Sequence, residues 1–245
     1  MNQNTQSEAL APGLYIVGTP IGNLSDITLR ALDTLRNASL ILAEDTRHTR
    51  KLLERHGLHT PMLSYHKFNE ASRAGEIIAR LHSGEIIALV SDSGMPAVSD
   101  PGARLVAACR DARVPVTAVP GPSAVTTAIA LAGFPTRGFI FVGFLPHKSG
   151  ARKRELEQWG NQTLPVVLFE SPYRLLKLLS EIAETLGARQ LFIGRELTKH
   201  FEELLRGTPA EICAAFERRT VKGECVVVLA PATGQGSGES HDEQA

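Results

Sequence analysis

Short apolar runs alternate with amphipathic runs along the whole chain, and this alternation restricts the fold more than any other feature. The candidate strands are Leu14–Val17, Leu40–Ala43, Ile86–Val90 and Val116–Val119, then Phe139–Val142, Val166–Phe169, Leu191–Ile193 and Cys225–Leu229. Between them lie helical patterns with readable starts. Ala74, Ile77, Ile78 and Leu81 follow the i, i+3, i+4, i+7 spacing of a helix with one apolar face. Thr208-Pro209-Ala210-Glu211 reads as a capping box with proline at the first helical position. Ser171-Pro172 opens a helix in the same way before the stripe Leu175, Leu179, Ile182, Leu186, and Asp100-Pro101-Gly102 does so before Leu105. Strands alternating with helices imply an α/β architecture with largely parallel sheets. The rigid turn Pro120-Gly121-Pro122 falls near the middle. The preferred division is therefore two α/β domains, 13–121 and 122–232, with one continuous sheet as the alternative. Residues 1–12 and 233–245 are polar and read as disordered tails.

Composition excludes several classes. With 43% hydrophobic and 21% charged residues in 245, the chain has material for a sizeable core and is neither fibrous nor disordered throughout. Its uncharged stretches are too short to span a bilayer, and the N-terminus lacks a basic segment followed by an apolar one. A cytoplasmic protein with no membrane partner is expected. Cys109, Cys213 and Cys225 form no CxxC pair, and their odd number argues against a disulfide framework. The histidines show no HExxH pattern, so no metal is expected. Net charge is zero overall, but residues 13–232 hold 26 basic against 22 acidic groups. That balance permits a nucleic-acid partner without requiring one.

Three polar clusters stand at the carboxyl ends of strand signals in the first half, where an α/β sheet presents its ligand-binding backbone. Gly18-Thr19-Pro20-Ile21-Gly22-Asn23 is not a dinucleotide fingerprint: Pro20 removes an amide, and the next helix starts too late to face a pyrophosphate. No GxxxxGK[ST] occurs either, which disfavours a nucleotide-triphosphate site. In Ser91-Asp92-Ser93-Gly94-Met95-Pro96-Ala97-Val98-Ser99-Asp100-Pro101-Gly102, two glycines and two prolines hold an unusual backbone path. Asp92 there is either a ligand acceptor or a turn former, and Asp100 reads as a helix cap. Glu44-Asp45-Thr46-Arg47 is the third cluster, with Asp45 either functional or capping the helix that carries Leu52 and Leu53. Three such loops from one sheet are expected to converge on one crevice. Glu170 and Glu196 end strands in the second half. Basic residues cluster at Arg47, His48, Arg50 and Lys51, and again at His147, Lys148, Arg152, Lys153 and Arg154. Each cluster reads as a set of phosphate contacts or as a solvated helix face. Aromatic residues are only 5%, too few for extended base stacking, with Tyr65, Phe68, Trp159 and Tyr173 as the exceptions.

Taken together, GTPIGNLSDIT (18–28), AEDTRHT (43–49), SDSGMPAVSDPG (91–102), VPGPSA (119–124), FESPYR (169–174), RELTK (195–199) and KGECVVV (222–228) resemble the tetrapyrrole methylase superfamily. Within it, the chain is similar to the bacterial branch that 2′-O-methylates a cytidine in the decoding region of 16S ribosomal RNA. Ser93 and Met95 depart from the pattern, which has Ala and Thr there, while Gly94 and Pro96 keep it. The resemblance implies two α/β domains, S-adenosylmethionine as cofactor, and the small ribosomal subunit as substrate. It also implies a homodimer. The cofactor residues it implies are Pro20, Ile21, Asp92, Met95, Ser123, Ala124, Phe169 and Leu197. Methyl transfer to a ribose hydroxyl needs a base, for which Glu44, Asp45 and Glu196 are the candidates, and a cation beside the developing oxyanion, for which Lys199 and Arg195 are. The second basic cluster, or else Arg47, Arg50 and Lys51, would guide RNA rather than DNA. A methylase of a tetrapyrrole and a non-enzymatic RNA-binding or ribosome assembly module are the rival readings. The basic Lys148–Arg154 segment, which suits phosphates, argues against the first, and S-adenosylmethionine binding would argue against the second.

Overall fold

The computed structural model describes residues 10–216 and 219–232. Most of the segments read as tails, 1–9 and 233–245, lie outside the described residues. The chain divides into two compact units, 1–124 and 125–245.

The first unit follows the alternation in the sequence. Its strands are β1 (Gly13–Val17), β2 (Leu40–Ala43), β3 (Met62–Ser64), β4 (Ile86–Val90) and β5 (Val116–Val119), and its helices are α1 (Leu29–Asn37), α2 (Thr46–Arg55), α3 (Glu70–His82) and α4 (Ala103–Asp111). All its strand pairs are parallel, in the order β3-β2-β4-β1-β5. Because side chains alternate across a sheet, each inner strand feeds two cores. Tyr15, Val17, Ile41, Ala43, Ala88 and Val90 pack with Ala31, Leu35, Leu52 and Leu53 from α1 and α2. Leu14, Ile16, Leu40, Leu42, Ile87 and Leu89 pack with Ile77, Leu81, Leu105 and Cys109 from α3 and α4. That two-sided burial explains why the strands read as unbroken apolar runs. The order also sets β4 between β2 and β1, so the loops after all three open side by side.

In the second unit, α5 (Ala124–Ala132) leads into β6 (Ile140–Phe144), α6 (Ser149–Gly160), β7 (Val166–Glu170), α7 (Pro172–Leu186), β8 (Leu191–Arg195), β9 (Glu203–Gly207), α8 (Pro209–Phe216) and β10 (Cys225–Leu229). The sheet order is β6-β7-β10-β8-β9. Here the expectation of a largely parallel sheet is corrected: only β6 and β7 are parallel, and the three remaining pairs are antiparallel. The connection from β8 to β9 is too short for a crossover helix, so those strands must form a hairpin. With two separate sheets, the single continuous sheet is set aside.

The capping box forms as read: Thr208 N donates to Glu211 Oε2 at 2.7 Å and Glu211 N to Thr208 Oγ1 at 3.4 Å. The cap assigned to Asp100 is corrected. Helix α4 starts later, with Gly102 as its N-cap, and the Gly102 N–H donates to Glu70 Oε2 of α3 at 3.4 Å.

Candidate functional site

At the carboxyl edge of the first sheet, the loops after β1 and β4 are joined by backbone. Thr19 N donates to Gly94 O at 2.9 Å, and Gly94 N donates to Thr19 O at 3.2 Å. The buried Thr19 hydroxyl adds a bond to Ser91 O at 3.2 Å. A third segment closes on them at Pro120-Gly121-Pro122. A Cβ on Gly18 would lie 2.8 Å from Gly121 Cα, and one on Gly121 would lie 2.9 Å from Gly18 O, so only two glycines allow these backbones to meet. Ile21 is buried beside Gly94, and Met95 packs over Gly18. The loop after β2 is tied in by Asp92, whose Oδ1 accepts from Asp45 N at 3.0 Å. The three strand-end loops thus form one cradle lined by backbone, two apolar side chains and a small group of acids. Pro20 sits in the first loop, and Ser123 and Ala124 follow Pro122.

The neighbouring acids Glu44 and Asp45 differ sharply. Burial pushes the Glu44 carboxyl up, and the Asp92 charge adds to the effect. Asp45 is the N-cap of α2, accepting from Arg47 N at 2.8 Å, and its carboxylate takes the Arg47 guanidinium side-on, with Nη2 at 2.7 Å. Hydrogen bonds from the Arg47 side chain and backbone hold it well below the carboxylate range. The capping reading of Asp45 therefore stands. Arg47 is highly exposed but already paired, whereas Arg50 and Lys51 are exposed on α2.

In the second unit, the sequence candidates separate by environment. Glu196 Oε1 accepts from Lys199 Nζ at 2.8 Å and from Glu224 N at 2.9 Å. Burial alone would raise Glu196, but those bonds outweigh it and hold its carboxyl low. Burial likewise disfavours the Lys199 ammonium, yet its bonds to Glu196 and Glu224 leave its pKa raised. Arg195 is engaged on every side, with Nε to Glu203 at 2.8 Å, Nη1 to Lys222 O at 2.8 Å and Nη2 to Phe201 O at 3.2 Å. It braces the hairpin instead of facing an oxyanion. Leu197 is buried against Gly194, and Phe169 is half-buried with Phe141 and Phe144 around it.

The basic segment after β6 contains the main correction. Arg152 is 1% exposed, with its Nε and Nη2 on the Glu181 carboxylate and its Nη1 at 3.0 Å from both Pro146 O and His147 O. A guanidinium so enclosed contacts no phosphate, because every third or fourth residue of α6 turns towards α7. Lys153 is paired with Glu184. Lys148 and Arg154 face solvent. Sequence reasoning also missed Thr19 and the meeting of Gly18 with Gly121. The glycines in GTPIGN and VPGPSA were visible, but nothing in one sequence says that they touch. No group of His, Cys, Asp and Glu among the described residues is arranged to hold a metal ion.

Comparison with known proteins bears on family and fold. The family model described as Tetrapyrrole (Corrin/Porphyrin) Methylases matches residues 13–213. A protein of Thermotoga maritima named ribosomal RNA small subunit methyltransferase I is 49% identical over 216 residues, covering 88% of this chain and 97% of the relative. One of the same name in Synechocystis is 46% identical over 221 residues, covering 90% and 79%. Among solved structures, uroporphyrin-III C-methyltransferase from Thermus thermophilus, complexed with S-adenyl homocysteine, superimposes with a TM-score of 0.61 at 18% identity, covering 88% of this chain and 96% of that one.

Proposed function

This chain belongs to the tetrapyrrole methylase family, and we propose that it is an S-adenosylmethionine-dependent methyltransferase acting on the 2′-hydroxyl of a cytidine in the decoding region of 16S ribosomal RNA. The observation that carries the RNA substrate is the 46–49% identity, over about nine-tenths of the chain, to proteins named as small-subunit ribosomal RNA methyltransferases. The cofactor is supported by the cradle. Its backbone-lined floor at Gly18, Gly94 and Gly121 has no phosphate loop and suits a ligand without phosphate, flanked by Ile21 and Met95 and by the acid Asp92. Pro20, Ser123 and Ala124 would complete this side, and Phe169 and Leu197 are the further apolar candidates for the cofactor.

Bound S-adenosylmethionine supplies an electrophilic sulfonium methyl. With that methyl as acceptor of the ribose 2′-oxygen, this chain's residues would have to align the hydroxyl with it and take up the hydroxyl proton. Of the three carboxylates weighed for that role, Glu44 has the raised proton affinity that general-base work near neutrality favours. Asp45 and Glu196 are both held low by cations, and Lys199 is the cation retained for charge stabilisation. Lys148, Arg154, Arg50 and Lys51 are the exposed cations for guiding the RNA. Action as a homodimer in the cytoplasm belongs to the same proposal, and light scattering that gave a single-chain particle of 26.4 kDa would refute the dimer.

The test has three arms. S-adenosylmethionine or its demethylated product should raise the melting temperature, and NAD should not. Tritiated methyl should pass to small ribosomal subunits. A subunit RNA with one 2′-deoxy substitution at the target cytidine should bind without accepting methyl, since the 2′-hydroxyl distinguishes RNA from DNA. Methylation persisting on that substrate would move the reaction to the base. Cofactor binding with no transfer to any subunit RNA would favour a tetrapyrrole acceptor.

A further inference from the structure

The ends of β6 and β7 carry exposed aromatic rings that neither the cradle nor the acids use. Building on the RNA reading above, we propose that Phe144 and Tyr173 form a stacking platform for unpaired nucleobases of the substrate RNA, with Lys148 and Lys177 receiving the adjoining phosphates. Phe144 is 60% exposed and Tyr173 is 90% exposed. In a regular strand, residues 141 and 144 would point to opposite faces. Here a bulge between Phe141 and Gly143, with Gly143 at φ +69°, breaks the alternation. Both rings therefore meet Phe169, Phe141 at 4.9 Å and Phe144 at 5.5 Å between centroids. Two rings hold Phe169 in place, and Phe144 leaves the rest of its surface to solvent.

Arg174 fixes Tyr173 to the same edge. Its Nη2 donates to Leu145 O at 3.0 Å, and its Nη1 lies 3.0 Å from His147 Nδ1, so the first turn of α7 is clamped to the loop that follows Phe144. The exposed charge of these two segments is basic. In residues 141–149 and 169–177 the single acid is Glu170, which is 2% exposed and paired with Arg174. Lys148 and Lys177 are exposed on these segments, the latter one helical turn from Tyr173 and close enough to the buried Glu181 to lower its carboxyl. Aromatic faces flanked by cations fit single-stranded RNA, whose bases are unstacked and whose phosphates follow at short intervals. Duplex RNA hides its base faces and would leave both rings in water.

The test measures affinity of the full chain for a labelled single-stranded oligopyrimidine RNA across a salt series. Phe144→Ala and Tyr173→Ala should each weaken binding about 5- to 150-fold with the salt slope unchanged, and Tyr173→Phe should restore it. Lys148→Ala and Lys177→Ala should each reduce the log–log slope by about 0.7. Cofactor affinity in the Tyr173 variants, and melting temperature and particle mass in all ring variants, should match the parent. Unchanged RNA affinity in both ring-to-alanine variants overturns the platform. So does a parallel loss of S-adenosylmethionine affinity in Tyr173→Ala, which would make that ring a cofactor contact, or a change in particle mass, which would place the rings between two copies. If the parent transfers methyl to small subunits and the ring variants do so equally well, the platform alone falls. If the parent transfers none, the function it builds on falls with it.

Discussion

Replacing Arg152 separates a structural cation from a substrate-binding one. Arg152 and Glu181 are 1% and 3% exposed and joined by two hydrogen bonds, with Ser149 Oγ on the same carboxylate at 2.6 Å. Arg152→Ala would leave the Glu181 charge buried with only the serine, and the carbonyls of Pro146 and His147 without their guanidinium donor. Breaking one side of a buried ion pair costs about 3–5 kcal/mol, which in a chain of this size lowers Tm by about 6–20 °C. The double change Arg152→Met with Glu181→Leu removes both charges while keeping apolar volume, and most of that loss should be recovered.

The pH dependence has a defined sign. Glu181 is held low by Arg152 first and by Ser149 as well. Its contribution to stability is present above the ordinary carboxylate pKa and is lost as pH falls through the depressed one. In Arg152→Ala the lone carboxyl would be raised by burial and would take up a proton in mild acid, so the destabilisation should shrink as pH falls. Differential scanning calorimetry at several pH values measures this, and RNA titrations across salt on the double variant complete the test. A normal Tm in Arg152→Ala, with a shallower salt dependence of RNA binding in the double variant, would refute the burial argument and return Arg152 to the RNA surface.

Three further outcomes are expected. Glu44→Gln should lower kcat by about 10²–10⁴-fold without lowering Tm, because a carboxyl raised by burial supports the fold only below that raised pKa and is unfavourable at neutral pH; full activity in this variant would remove Glu44 as the base, and the parent's rate should climb as pH rises through the Glu44 titration. Gly121→Ala forces a Cβ to within 2.9 Å of Gly18 O, so it should destabilise by about 1–3 kcal/mol and weaken S-adenosylmethionine binding, read by thermal unfolding and calorimetric titration. Thr208→Ala, which removes a formed cap at an exposed helix start, should cost about 0.5–2 kcal/mol in chemical denaturation and leave methyl transfer unchanged.

What could be read in the sequence was local. A buried strand followed by a polar turn is a contiguous signal, so the loops at 18–23, 44–47 and 91–102 were visible, and their convergence followed from the rule that such loops share one sheet edge. The two strands that escaped notice, β3 and β9, are both sheet edges. An edge strand needs no apolar run on both faces, and Glu203–Gly207 alternates in burial accordingly. Strand direction was equally hidden, since a period of two is the same whichever way a strand runs, and β10 enters between β7 and β8 from more than fifty residues away from the former. The candidate site shows the same limit at the scale of single side chains. Glu44 and Asp45 are adjacent and both acidic, yet one is shifted up and the other down. The difference arises because Asp45 begins a helix and meets Arg47 two residues on, while Glu44 stays at the strand end, half-buried and near Asp92 in the loop after β4. A cap is encoded within a few residues and can be read, but a carboxyl raised by burial first, and by the charge of Asp92 forty-eight positions away second, is made only by the fold. Which of two adjacent acids carries the raised proton affinity is therefore legible only at the folded sheet edge, and a run of charges such as 152–154 can be sorted only once the opposite helix, with Glu181 on it, is in place.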